Sequence, residues 1–288
     1  MAENSGIEWT THTFNPWIGC TKLSPACDNC YAETWDNRFK GERWGPHAAR
    51  TRTKTWGKPR RWNELAAGAV ERPRVFCASL ADVFDNHKSI EPTWRTDLWK
   101  LIEETPNLDW LLLTKRPQNI KRFVPDWMGV DAWPDNVWIG TTVENQEEAE
   151  RRIPALLSVP ARVRFLSMEP LLGPVDLTPW LWGADSPCDG CPRDADCACG
   201  GELRGDLPDE KAPGEISWVI AGGESGPGYR TSDPEWYRSL RDQCADAEIP
   251  FLFKQWGGGS QPEIKAKGRK LDGVIHDGYP KARQATPC

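Results

Sequence analysis

No run approaching the ~18 apolar residues of a membrane-spanning helix occurs in this chain, and the mean hydropathy is −0.63. The opening MAENSGIEWT has no apolar core of the secretory type, so a cytoplasmic protein without membrane association is expected. Histidine is scarce. His12, His47, His87 and His276 share no metal-ligand spacing, and His87, just beyond an expected strand, is the best placed of them for chemistry. Positive charge is not in excess: 36 Lys and Arg face 42 Asp and Glu, a net charge of −6, which excludes a protein that coats nucleic acid with its whole surface. No fixed-period repeat appears beyond an alternation of strand-like and helix-like stretches.

What the chain does have is length, cysteine and tryptophan. Its 288 residues, 39% hydrophobic and 27% charged, can bury one large core or two small ones; disorder, collagen and disulfide-stapled miniproteins are excluded. The ten cysteines are grouped: Cys20, Cys27 and Cys30, then Cys188, Cys191, Cys197 and Cys199, with Cys77, Cys244 and Cys288 alone. Without a secretion signal, such groups read as metal or cluster ligands rather than disulfides. Cys77 lies inside a strand-like run and Cys244 on a helix-like one, and both read as small core residues.

Strand-length apolar runs occur at Val75 to Leu80, Trp110 to Thr114, Val137 to Thr141, Val163 to Met168, Trp218 to Ala221 and Phe251 to Lys254. Helix-like stretches lie between them, such as Glu91 to Glu104 and Asn145 to Leu157, the second opening on an Asn cap with acidic residues in its first turn. Most strand starts are roughly 25 to 35 residues apart, the length of a βαβ unit, and continuous apolar strands suit a parallel sheet covered on both faces. An α/β fold follows, a parallel barrel or a doubly wound sheet.

Each strand is followed by polar groups: Ser79 and Asp82; Lys115 and Arg116; Thr142 and Glu144; Glu169; Gly222, Gly223 and Glu224; Lys254 and Gln255. One such group alone reads equally well as a turn residue. Six in register predict a common pocket at the carboxyl ends of parallel strands. The expected organisation is a barrel domain over 1–258, a Gly-, Pro- and Asp-rich cysteine insertion over 183–214, and a tail over 259–288.

Cys20, Cys27 and Cys30 form a C-x6-C-x2-C loop. Three thiolates without a fourth nearby ligand suit an iron–sulfur cluster with one open iron, or a zinc site completed elsewhere. Around this loop the run IEWTTHTFNPWIGCTKLSPACDNCYAE, together with FCASLADVF, LLLTKRPQN, VWIGTTVENQEEAERRIPALL, VRFLSMEPLLGPVDL, WVIAGGESGPGYR and PFLFKQWG, resembles the phage Gp37/Gp68 family, also called DUF5131, a group assigned to the radical S-adenosylmethionine superfamily. The resemblance implies a partial (β/α)6 barrel whose Cys20, Cys27 and Cys30 hold a [4Fe-4S] cluster, with S-adenosylmethionine on the open iron. It implies one-electron cleavage of that cofactor to a 5′-deoxyadenosyl radical that takes hydrogen from substrate, an electron donor of flavodoxin or ferredoxin type, and a location in the host cell where the chain is phage-encoded.

Two features depart from the superfamily's commonest pattern. The first cysteine gap has six residues instead of three, and Gly222-Gly223-Glu224 follows a late strand instead of the second. By location, Ser79 and Asp82 suit the cofactor's amino group, Thr142, Glu144 and Asn145 suit the ribose hydroxyls, and Glu169 lies on the same rim. Lys115, Glu224, Lys254 and Gln255 then remain for substrate.

Cys188, Cys191, Cys197 and Cys199 have enough sulfur for a closed site, structural zinc or an auxiliary iron–sulfur cluster. From Arg38 to Trp62 the chain is basic, with tryptophans interleaved; Arg52, Lys54, Trp56, Arg60 and Arg61 are the candidate nucleic-acid contacts, since cations beside stacking platforms are what single strands and flipped bases use. The same stretch also reads as a solvated loop whose tryptophans plug the barrel. The function expected is radical chemistry on a nucleobase in nucleic acid or a nucleotide. The alternatives are a non-catalytic, zinc-stabilised nucleic-acid-binding protein and a radical enzyme acting on a peptide.

Overall fold

A computed structural model describes residues 3–126, 128, 133–181 and 215–280. Seven parallel strands form one curled, half-barrel sheet in chain order. They are β1 (His12–Thr13), β2 (Arg74–Cys77), β3 (Asp109–Thr114), β4 (Val137–Thr142), β5 (Arg164–Met168), β6 (Trp218–Gly222) and β7 (Phe251–Gln255). Six of the seven fall on the apolar runs. The seventh, β1, is two residues long and pairs His12 with Val75 and Thr13 with Phe76. Two polar residues carry no apolar run, so their strand character depends on the neighbour they pair with; the six-strand count expected from the sequence is corrected to seven.

Helices connect the strands: α1 (Tyr31–Arg38), α2 (Lys58–Leu65), α3 (Pro92–Glu103), α4 (Ile120–Phe123), α5 (Gln146–Leu157), α6 (Thr178–Leu181), α7 (Pro234–Asp246) and α8 (Gln261–Lys267). Their starts follow local chemistry. Asn145 accepts a hydrogen bond from the Glu148 N–H ahead of α5, and Asp233 accepts one from Glu235 ahead of α7, where Pro234 takes the first turn.

Alternate residues of each strand face two separate cores. Trp110, Leu112, Val219 and Ala221 pack outward under the helices with Leu98, Ile153 and Leu240. Phe76, Leu111, Phe165, Trp218 and Ile220 pack inward around Trp9. The inner face is so full at mid-strand that Gly140 has no room for more: a Cβ there would lie 2.3 Å from the Phe165 ring. Cys77 and Cys244 are buried core residues on β2 and α7. Among the described residues no helix is long and apolar enough to cross a membrane.

Residues 259–280, set apart as a tail by composition, carry α8 and a hairpin of Lys270–Leu271 with Val274–Ile275. They close on β7, where Phe253 N–H donates to His276 O at 3.0 Å and Gly278 N–H to Phe251 O at 2.9 Å.

Candidate functional site

A cavity of about 760 Å³ opens at the carboxyl ends of the strands, within the usual range of ligand sites, roughly 300–1,000 Å³. Cys20, Cys27 and Cys30 line it together with Ser79 and Asp82 from beyond β2, Lys115 and Arg116 from beyond β3, Thr142 on β4, Glu169 beyond β5, and Lys254 and Gln255 on β7. Parallel strands deliver these groups to one place because every carboxyl end points the same way. Glu144, Asn145 and Glu224 do not line the cavity.

All three cysteines are free thiols on one loop between β1 and α1. The loop leaves the sheet at Gly19, whose N–H donates to Leu80 O at 3.0 Å and whose φ of +117° suits glycine. Cys27 closes a 3-10 turn over Pro25–Cys27, and Cys30 caps α1. Three struts from distant strand ends hold the long first gap. Glu144 Oε1 accepts the Ala26 N–H at 3.2 Å, while Oε2 pairs with Arg152 at 2.8 Å, all fully buried. Glu224 accepts from Asn29 Nδ2 at 2.9 Å and from the Arg230 N–H at 2.8 Å, and the Arg230 guanidinium reaches Asp28 and the Pro25 carbonyl. Burial works to raise the Glu224 carboxyl, but hydrogen bonds from Arg230 and Asn29 hold it below its ordinary range. The third strut is Arg116, which reaches Cys20 Sγ at 3.6 Å and Thr21 O at 3.0 Å.

These struts change how several expected residues read. Both oxygens of Glu144 are engaged by the chain, and the Asn145 side-chain oxygen is taken up by the N-cap of α5. Asp82 receives Thr114 Oγ1, the Lys115 and Phe84 N–H groups and the Arg116 guanidinium, all at 2.8–3.1 Å. Ser79 Oγ accepts from Asn15 Nδ2 at 3.0 Å. Glu169 is different: its Oε2 pairs with Lys254, while its buried Oε1 has no hydrogen-bond partner among the described residues. Lys115 lines the cavity half-buried and makes no ion pair among them.

Cys20, Cys27 and Cys30 offer three thiols to one cavity, the donor type that an iron–sulfur cluster takes. Among the described residues no group of three His, Cys, Asp or Glu side chains is gathered closely enough to hold a single metal ion. Burial, with Asp82 beside it, pushes the Cys20 thiol up to about 11 against the pull of Arg116.

Residues 4–280 match a family described as protein of unknown function (DUF5131). The chain belongs to the DUF5131 family. No curated protein and no solved structure matches it.

In this DUF5131 chain part of the basic stretch is spent on internal pairs. Arg52 pairs with Asp97 at 2.7 Å and lies over the Trp56 ring at 4.3 Å, and Arg60 pairs with Glu104 at 2.6 Å. Trp62 is buried and stacked on His12, while Trp44 lines the cavity. Lys54 and Arg61 are exposed without an ion pair among the described residues. His87 bonds Ser89 and the Pro46 carbonyl, away from the cavity. Cys188, Cys191, Cys197 and Cys199 lie outside the described residues.

Sequence reasoning placed Arg116 at the expected pocket without giving it a role, and did not assign Tyr31, Asn15 or Arg230 to the site. Tyr31 follows Cys30 and donates to Ser79 O at 2.6 Å. Arg116 stood in view directly after β3, and its charge was the available signal.

Proposed function

We propose that this chain is a radical S-adenosylmethionine enzyme whose Cys20, Cys27 and Cys30 hold a [4Fe-4S] cluster, acting on a nucleobase in nucleic acid or a nucleotide. The observation that carries this reading is three free thiols on one loop, all opening into a single cavity at the carboxyl edge of a curled parallel sheet. Held by Cys20, Cys27 and Cys30 and reduced by a flavodoxin- or ferredoxin-type donor, such a cluster would supply one-electron reductive cleavage of S-adenosylmethionine.

The chain's own residues do the rest. Glu169 Oε1, a buried acceptor with nothing to accept, suits an ammonium or hydroxyl donor. Lys115 suits an oxyanion, from the cofactor's carboxylate or a substrate phosphate. Thr142 and Gln255 offer neutral hydrogen-bonding groups between them. Lys265 and Arg269 on the far wall, with Trp9 and Trp44, favour a planar substrate that carries phosphate. The inner aromatic core beneath the cavity keeps bulk water from the floor of the site.

The test is anaerobic purification with iron, sulfide and zinc quantification, then electron paramagnetic resonance of the reduced protein with and without S-adenosylmethionine. The expected result is a reduced-cluster signal that changes on cofactor addition, with 5′-deoxyadenosine formed. Cys27→Ala should lose both signal and cleavage while staying folded. Zinc without iron, persisting after reconstitution, would replace this reading with the non-catalytic binding protein.

A further inference from the structure

Arg116 is 5% exposed just beyond β3, and its guanidinium is tied to the cysteine loop at Cys20 and Thr21. One guanidinium nitrogen sits 3.6 Å from Cys20 Sγ and 2.9 Å from Asp82 Oδ2; the other lies 3.0 Å from Thr21 O and 3.6 Å from Asp85 Oδ1. The knot continues through Arg50, which holds the same Asp85 at 2.9 Å and donates to Thr21 Oγ1 at 2.6 Å, and through Arg95, which reaches the Val83 and Asp85 carbonyls. Arg116 and Arg50 thus share the two carboxylates, while Arg95 binds backbone carbonyls beside them. Arg116 is the member of the knot that donates to a thiol.

We propose that Arg116 is a positioning residue that sets the reduction potential of the cluster at Cys20, Cys27 and Cys30, through its N–H to Cys20 Sγ and its buried charge. The inference rests on the iron–sulfur reading above. Reduction adds one electron, hence one negative charge, to a site enclosed by protein, where a fixed cation a few ångströms away is poorly screened. Hydrogen bonds to cluster sulfurs and nearby charge are among the levers that set such potentials. A donor to Cys20 Sγ therefore stabilises the reduced form and brings the cluster within reach of its reductant. The planar fork is needed because one side chain must serve Sγ, Asp82 and the Thr21 carbonyl at once, which a lysine cannot do.

The Glu224–Arg230 strut supplies the control. Glu224 and Arg230 hold the same loop at Asn29, Asp28 and Pro25 without touching a thiol. Loosening them tests loop support alone.

The experiment is a redox titration of the reconstituted full chain, read by electron paramagnetic resonance, for wild type, Arg116→Gln, Arg116→Lys and Glu224→Gln, with iron content and thermal melting measured on each. We expect Arg116→Gln to move the midpoint to a more negative potential, Arg116→Lys to recover part of the shift, and Glu224→Gln to leave the midpoint near wild type at equal iron content. If Arg116→Gln does not fold, the lysine variant carries the test, since it too should move negative. Should both Arg116 variants hold cluster at the wild-type potential, or Glu224→Gln shift it equally, the assignment of Arg116 is wrong while the cluster reading stands. A wild-type chain that builds no cluster overturns the cluster reading and this inference with it.

Discussion

At the scale of single residues, the cavity divides carboxylates by whether their oxygens are already spoken for. Asp82 and Glu144 are met by several donors from the chain, whereas one buried oxygen of Glu169 has no hydrogen-bond partner among the described residues. An unsatisfied buried acceptor is costly, on the order of 1–3 kcal/mol, and is retained where a ligand completes it. A different cost appears at Asp109, at the other end of β3. Burial raises its carboxyl to about 6 from 3.8, against the pull of Arg72 at 3.5 Å. A raised folded-state value means the folded protein holds its proton more tightly, so the stability this group contributes is full below the ordinary carboxyl value and is lost as pH rises through about 6. Asp109→Asn, which mimics the protonated form, should therefore gain on wild type between acid and neutral pH by on the order of 2 kcal/mol. Urea melts at both ends of that window check it; parallel pH dependences would show that the carboxyl titrates normally.

At the scale of elements, α5 shows how a helix start and a site support share one stretch of chain. Asn145 has extended backbone (φ −158°, ψ 177°) and accepts the Glu148 N–H at 3.0 Å, while Glu144 before it reaches across to the cysteine loop. The cap fixes where the helix begins, and so where Glu144 stands. Asn145→Ala should cost about 1 kcal/mol of stability, measured by urea denaturation, and Asn145→Asp, which keeps the accepting oxygen, should recover most of it. The Gly222-Gly223-Glu224 stretch is shaped by packing in a similar way. A Cβ on Gly223 would lie 2.1 Å from Gly257 N, so the chains leaving β6 and β7 touch backbone to backbone there, and this brings Glu224 down onto Asn29. Helix spans and caps were legible from periodicity and side-chain type; the backbone contact at Gly223 has no local signature.

At the scale of the whole molecule, a net charge of −6 coexists with a cavity lined by Lys115, Lys254, Lys265 and Arg269. Local field, not total charge, governs what approaches the mouth. Outside the cavity Arg43, Arg50, Arg52 and Arg60 are met by acids of the chain, whereas Lys54 and Arg61 are, with Arg38, Lys40 and Lys58, exposed cations without an ion pair among the described residues. Lys54→Glu with Arg61→Glu should weaken binding of a single-stranded oligonucleotide by about tenfold or more and flatten its salt dependence. Arg60→Glu, whose charge is already met by Glu104, should do less. Fluorescence anisotropy across a salt series measures both, and an unchanged slope in the double variant would remove this face from the binding surface.

The sequence by itself determined the elements and the edge on which chemistry gathers. Apolar runs set β2 to β7, an Asn cap set the start of α5, and most of the polar residues after the strands reached a common rim because parallel strands end together. Only the tertiary structure decided which of those groups are free. Glu144 meets Ala26 across 118 residues and Glu224 meets Asn29 across 195. Periodicity and spacing are local signals, and a hydrogen bond closed over that much chain exists only once the sheet has curled and brought its strand ends over the cysteine loop.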